Sequence, residues 1–187
     1  MTTVGVLALQ GDVREHLAIL DSLGVASAPV KKPDQLGSVD ALVIPGGEST
    51  TIGKMAVRFG LLDPLRSAID GGLPVYGTCA GMILLAGSIT DGDQTLLGAL
   101  DVVVKRNAFG RQNDSFEEDL IIEGLDSPFH AVFIRAPWVE KVGSEVEVLA
   151  SVGEHPVMVR QDRLLATSFH PELTGDGRIH QMLLELI

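Results

Sequence analysis

The sequence predicts an α/β domain: a three-layer arrangement of an open, mostly parallel sheet with flanking helices, joined by antiparallel strands in the second half. Three observations lead there. Short β-rich runs alternate with helix-period segments through the first half, the pattern of parallel strands joined by crossover helices. After Leu97 the helical periods give way to closely spaced apolar runs. The length, 187 residues with 45% hydrophobic content, suits one domain with a sizeable core, over 1–187.

The elements follow in order. Thr3 to Leu9 is a strand, and Asp12 to Leu23 a helix closed by Gly24. A short strand lies near Ala28 to Val30, and a clear one at Ala41 to Ile44. Helical patterns cover Thr50 to Arg58 and Leu61 to Ile69, ahead of a strand from Leu73 to Thr78 and a helix from Ala80. Then come LLGALDVVV, DLIIEGL, AVFIR, EVEVLASV, PVMVR and LLATSF, read as antiparallel strands, and a last helix from Gly177 to Ile187. The segment Lys105 to Glu118, KRNAFGRQNDSFEE, is too polar for core and reads as a long functional loop. There is no repeat, low-complexity tract or linker.

Charge and cysteine usage narrow the function. A formal net charge of −11 and a pI near 4.7 argue against nucleic acid and anionic membrane surfaces as partners, since both select basic patches. The N-terminus, MTTVGVLALQGD, lacks a basic region and is broken at Gln10, so it reads as a strand rather than a signal peptide. No stretch approaches a membrane span. The sole cysteine, Cys79, excludes an internal disulfide and multi-cysteine zinc sites and fits a reducing, cytoplasmic setting; no metal or cofactor is expected.

The stretch Ile44 to Lys54, IPGGESTTIGK, imitates a phosphate loop and fails its template. Glu48 stands where the first glycine belongs, and Met55 follows Lys54 where a metal-binding hydroxyl is needed. Gly46-Gly47 after a strand still requires a sharp turn or a close backbone approach. The plain alternative is a strand-to-helix turn with Ser49 or Thr50 as N-cap.

Around the cysteine, Tyr76-Gly77-Thr78-Cys79-Ala80-Gly81 gives strand, Gly-x-Cys-x-Gly, helix, the elbow pattern of α/β-hydrolase nucleophiles with cysteine in place of serine. The alternative is a small buried apolar cysteine. A thiolate needs a proton shuttle, and Phe169-His170-Pro171-Glu172 supplies a histidine with a carboxylate two residues on. The plain reading is an exposed His-Pro turn. His16, His130, His155 and His180 lack such a setting and read as surface or helix-face residues. Acyl transfer also needs backbone N–H donors for an oxyanion, which Gly47 and Ala80 can supply. IPGGEST then serves an oxyanion rather than a phosphate.

Together, Gly-x-Cys-x-Gly, a later His-Pro-Glu and a Pro-Gly-Gly loop resemble the class I, or triad, glutamine amidotransferases, whose fold is flavodoxin-like. VGVLALQGDVREH, IPGGESTT, YGTCAGMILLA, RNAFGRQNDSFEEDL, VFIRAPWVE and SFHPELTGD resemble one branch, the glutaminase subunits of pyridoxal phosphate synthase, over nearly the whole chain. The resemblance implies that Cys79 attacks the side-chain amide of L-glutamine, with His170 as acid and base and Glu172 as its orienter. It implies glutamine contacts at Gly47, Glu48 and Ser49, at Arg106, and at Ile134 and Arg135, with Gln10 and Gly46 nearby. Arg106 has a physical case of its own, since a guanidinium can grip an α-carboxylate through two hydrogen bonds; its alternative is a solvated surface arginine.

The resemblance further implies a partner, a (β/α)8-barrel synthase subunit in a large hetero-oligomer, which receives the ammonia. It also implies a few more residues after Leu186-Ile187, with the chain stopping inside its last helix. Two other readings share these residues: the glutaminase subunit of another biosynthetic amidotransferase, and a non-catalytic regulatory module on the same fold. A flavodoxin-like nucleotide binder is weakened by Glu48 and Met55.

Overall fold

A computed structural model of the chain describes residues 2–110 and 115–187. Five strands, β1 (Thr3–Leu7), β2 (Ala26–Val30), β3 (Ala41–Ile44), β4 (Val75–Thr78) and β12 (Leu164–Thr167), run parallel in the order β12-β4-β3-β1-β2. Two antiparallel strands, β10 (Glu147–Val152) and β11 (His155–Gln161), extend this sheet beyond β12 to seven strands. Pro29 sits in β2, at the opposite edge, where a missing N–H leaves no inner ladder broken.

Period-2 alternation decides which side chains face which layer. Along β3, Leu42 and Ile44 enter one apolar cluster while Ala41 and Val43 enter another on the opposite face, all four fully buried. Helices α2 (Ser49–Arg58), α3 (Leu62–Asp70) and α4 (Ala80–Leu85) cover the first face through Ile52, Leu65 and Leu84. Helices α1 (Val13–Ser22) and α5 (Arg178–Leu184) cover the second through Leu20, Ile179 and Leu183. The three-layer, mostly parallel architecture expected from the sequence is what forms.

The second half needs correction. β5 (Ala86–Ile89), unread in the sequence, leaves α4 directly and pairs parallel, not antiparallel, with β6 (Leu100–Lys105), which in turn pairs with β9 (Trp138–Val142), also unread. LLATSF, expected to be antiparallel, is so only toward β11; its strand β12 is parallel to β4. The strand expected in DLIIEGL lies earlier, as β7 (Ser115–Leu120), paired with β8 (Phe129–Ile134). Ser115 to Glu118 are therefore strand rather than loop. Residues 111–114 of the same polar segment lie outside the described residues. The last helix ends at Leu184, so the chain does not stop inside it. Among the described residues no helix is long and apolar enough to cross a membrane.

Candidate functional site

The site forms where strand order reverses, between β1 and β3, the place where open α/β sheets hold ligands. The turns after β1, β3, β4 and β12 bring Gln10-Gly11-Asp12, Gly46-Gly47-Glu48, Cys79 and His170 to one sheet edge.

Cys79 has φ +48°, a left-handed value rare for a residue with a side chain, and stands at the N-cap of α4. Its neighbours make this turn possible by lacking side chains. A Cβ on Gly77 would come within 2.6 Å of the Gly81 carbonyl carbon, and one on Gly81 would collide with the Ile44 carbonyl oxygen. The Cys79 N–H donates to the Thr167 carbonyl at 2.7 Å, which ties the elbow to the end of β12. Cys79 as a whole is 8% exposed.

His170 follows β12 and caps a 3-10 turn, Pro171–Leu173, rather than continuing an extended segment. Its Nδ1 lies 2.6 Å from Glu172 Oε1 and 3.4 Å from Asp12 Oδ2, so both carboxylates face one ring nitrogen. Burial would push His170 down, but the Asp12 carboxylate, the Cys79 sulfur and the Glu172 carboxylate outweigh it and hold the imidazole up at about 12. Burial pushes the Glu172 carboxyl up, against the hydrogen bond from His170. Asp12, His170 and Glu172 bring potential ligand atoms within 4.8 Å of one another, but the short Glu172–Nδ1 hydrogen bond marks an oriented histidine rather than a metal cage.

A cavity of ≈ 360 Å³ opens over Cys79, within the usual range for small-molecule sites. Cys79, Ala80, Ile83 and His170 line it together with Gln10, Asp12, Gly47, Glu48 and Ser49 from the turns after β1 and β3, and with Arg106, Asn107, Ile134 and Arg135. Gly46 does not line it but makes room for it: a Cβ there would lie 2.9 Å from His170 Nδ1 and 3.0 Å from Asp12 Oδ2. Gln10 Oε1 accepts from the Glu48 N–H at 2.8 Å, pinning the loop. Arg106 donates through Nη1 to Gln94 Oε1 at 3.0 Å and through Nη2 to the Asp91 carbonyl at 3.3 Å. A larger groove, ≈ 530 Å³, runs along α5 away from Cys79, and its arginines are already paired, Arg178 with Asp176 and Arg160 with Glu147.

Two expectations fail here. The cap of α2 is Glu48, not Ser49 or Thr50: its carboxylate accepts from the N–H groups of Thr50 and Thr51, at 3.3 and 2.9 Å. His16 and His180, read as surface or helix-face residues, are fully buried and paired, His16 Nδ1 to His180 Nε2 at 2.8 Å. His130 is exposed as expected, between Asp119 and Glu117. The sequence reading also passed over Asp12 and Gln94. Helical spacing could have found His16, which shares a stripe with Val13 and Leu20; nothing local marks Gln94, which only the loop path brings to Ser49 and Arg106.

The chain is similar to known proteins along nearly its whole length. A model of the SNO glutamine amidotransferase family matches residues 6–187. The pyridoxal 5'-phosphate synthase subunit PdxT of Parafrankia sp. (strain EAN1pec) is 61% identical over 187 residues, covering 98% of this chain and 92% of its own. The subunit of the same name from Mycobacteroides abscessus is 61% identical over 186 residues, covering 98% and 96%. A crystal structure described as a glutamine amidotransferase superposes with a TM-score of 0.94 at 55% identity, over 98% of this chain and 97% of that one. The PurLQS structure from Thermotoga maritima, at TM-score 0.71 and 16% identity over 98% of this chain and 97% of that one, shares the fold.

Proposed function

The chain belongs to the SNO glutamine amidotransferase family, and from that premise we propose that it is the glutaminase subunit of a pyridoxal 5'-phosphate synthase, releasing ammonia from L-glutamine for vitamin B6 synthesis. The observation that carries this reading is the convergence at one cavity of a strained elbow cysteine and a histidine held by a buried carboxylate.

In the proposed reaction the Cys79 sulfur attacks the carboxamide carbon of bound glutamine. The N–H groups of Gly47 and Ala80 take the negative charge that develops on oxygen. His170 gives its proton to the departing nitrogen, ammonia leaves, and a glutamyl thioester remains. His170, now neutral, takes a proton from water as that water attacks the thioester carbon, and glutamate is released. Glu172, bonded to Nδ1, keeps Nε2 directed at the sulfur and stabilises the imidazolium, the role of the third member in any such triad. Arg106 is proposed to grip the substrate α-carboxylate, with Ile134, Arg135, Glu48 and Ser49 framing the rest; the Glu48 carboxylate caps α2 and its N–H is held by Gln10, so its part is to shape the loop.

Ammonia free in neutral water is protonated and no longer a nucleophile, which favours direct delivery to a (β/α)8-barrel synthase partner within a hetero-oligomer. The Gly46 carbonyl accepts from the Asp12 N–H at 3.1 Å. Two adjacent glycines make a turn of the Gly46-Gly47 peptide sterically cheap, so we propose that partner docking sets the Gly47 N–H in the oxyanion hole. We place the reaction in the cytoplasm, where the unpaired Cys79 stays reduced.

The test is glutamate release from glutamine by the purified chain, alone and with a pyridoxal phosphate synthase barrel, beside Cys79→Ala. Release that rises sharply with the barrel and vanishes in Cys79→Ala is expected. A demonstrated complex that releases none would overturn the reading.

A further inference from the structure

Two buried histidines lie behind the triad, and the proposed chemistry uses neither. His16, on α1, and His180, on α5, are fully buried. His16 Nδ1 lies 2.8 Å from His180 Nε2. The other nitrogen of His16, Nε2, lies 3.3 Å from Thr78 Oγ1, next in chain to the cysteine, and 3.6 Å from Glu172 Oε2. That Glu172 oxygen is buried and finds no hydrogen-bond partner among the described residues, and the same holds for His180 Nδ1.

These contacts choose between the two possible proton arrangements. If His16 carried its proton on Nδ1 and gave it to His180, His180 would carry its own on Nδ1, leaving a buried N–H without an acceptor. The bare Nε2 of His16 would then face the Glu172 carboxylate, lone pair against negative charge. In the other arrangement His180 Nε2–H donates to His16 Nδ1, the unpartnered His180 Nδ1 is an acceptor, and His16 Nε2–H points toward Thr78 and Glu172. Buried orphan N–H groups are rarer than orphan acceptors, and a carboxylate prefers a donor, so the second arrangement is favoured twice over.

We propose, building on the glutaminase reading, that His16 is a positioning residue: fixed as its Nε2–H tautomer by His180, it shares that N–H between Thr78 Oγ1 at 3.3 Å and, more distantly at 3.6 Å, Glu172 Oε2, and so biases the carboxylate that orients His170. The order is His180 to His16 to Glu172 to His170 to Cys79, with every side chain but the thiol acting through the next. Both histidines act neutral here, since burial and then the neighbouring His180 and His170 push His16 well below its ordinary range, and burial pushes His180 down to about 4. Among the described residues the other polar groups around the pair are Tyr76, whose ring meets both imidazoles edge-on, and Thr78.

The experiment combines nitrogen-15 NMR of the histidine rings in the full chain with kcat and KM for glutamine hydrolysis by its complex with a synthase barrel, in wild type, His16→Leu and His16→Gln. The Nε2–H tautomer is expected at His16; an Nδ1–H tautomer would overturn the proposal. His16→Leu should lower kcat about 10-fold, the low end of the range for removing an outer supporting group, because His16 acts on His170 only through Glu172, with KM within about 2-fold. His16→Gln, whose terminal amide reaches the place of Nε2–H, should recover kcat to within about 5-fold of wild type. Unchanged kcat in His16→Leu, or equal losses in both variants, makes His16 mere packing and sinks the idea. If His16→Leu does not fold, His16→Asn replaces it, because its shorter amide matches Nδ1 and should not rescue; equal kcat in the Gln and Asn variants counts against the proposal. Should the wild-type complex release no glutamate, the function fails and not this geometry: alkylation of Cys79 by iodoacetamide then serves as readout, slower in His16→Leu than in His16→Gln if His16 orients the triad, equal in both if it does not.

Discussion

At the ends of β3 and β4, backbone packs on backbone and glycine takes the place of side chains; along β10 and β11, on the outer edge of the same sheet, side chains make the cross-strand contacts. Gly81 allows α4 to sit against the Ile44 carbonyl, and Gly46 allows His170 to sit against the β3 turn. By contrast, Glu147 stands opposite Arg160 in the β10–β11 ladder and meets it in the open, with side chains 59% and 38% exposed. A site that needs fixed geometry is built where nothing can shift, and the edge tolerates exchange because solvent can replace whatever is lost.

The largest effect should come from breaking the first region. Gly81→Ala puts a methyl group onto the Ile44 carbonyl oxygen, a rigid atom in the central sheet. Overpacking of this kind typically costs ~1–3 kcal/mol, and here no flexible side chain can give way, so a loss of more than about 3 kcal/mol is expected. Urea denaturation measures it, and a midpoint within experimental error of wild type would contradict the account of the elbow.

That difference also explains what could be read beforehand. The elbow announces itself because its glycines must sit two before and two after Cys79, a local requirement with a local signature. His170 and Glu172 are two apart and equally local. Asp12 reaches His170 from 158 positions away in sequence, and Gln94 meets Arg106 only because the β5–β6 connection folds back, so neither leaves a trace in neighbouring residues. His16 and His180 were misread because histidine is amphipathic: on a helix face it looks the same whether the facing layer is water or another buried imidazole. The strands misread in the second half are similar. β12 has an antiparallel neighbour on one side and a parallel one on the other, and its sequence cannot distinguish them.

A smaller effect, and one that sharpens the contrast, concerns acid. His180 has its ordinary value near 6.5 when unfolded and about 4 when folded, because burial disfavours the cation, and His16 is displaced in the same direction. Below pH 6.5 the unfolded chain therefore binds protons that the folded chain refuses, and stability falls as pH falls from about 6.5 to about 4. For His180 alone this amounts to about 3 kcal/mol over that window. His170, raised to about 12, adds no slope there, being protonated in both states; its contribution is complete below 6.5 and is lost as pH rises toward 12. Glu172, whose carboxyl burial pushes up, offsets part of the acid loss. Denaturation midpoints of wild type and His180→Gln between pH 7 and 4 isolate the term: the variant should show the shallower dependence, and parallel curves would mean that His180 does not titrate as described.

The smallest effect belongs to the edge. Arg160 Nε donates to Glu147 Oε2 at 3.0 Å, good geometry by distance alone. Both groups are more than a third exposed, so water and salt screen the pair, and ordering two long side chains offsets much of the attraction. Arg160→Ala should therefore change stability by about 1 kcal/mol or less, and by less still in 0.5 M salt. A double-mutant cycle with Glu147→Ala separates the pair from the general loss of the arginine stem on the strand. If the coupling reached the size of the interior effects, the edge would have to be rigid in the way the elbow is. If it comes out near zero, the sheet concentrates its geometric demands at the strand ends that carry Cys79 and His170, and leaves its antiparallel margin free to vary.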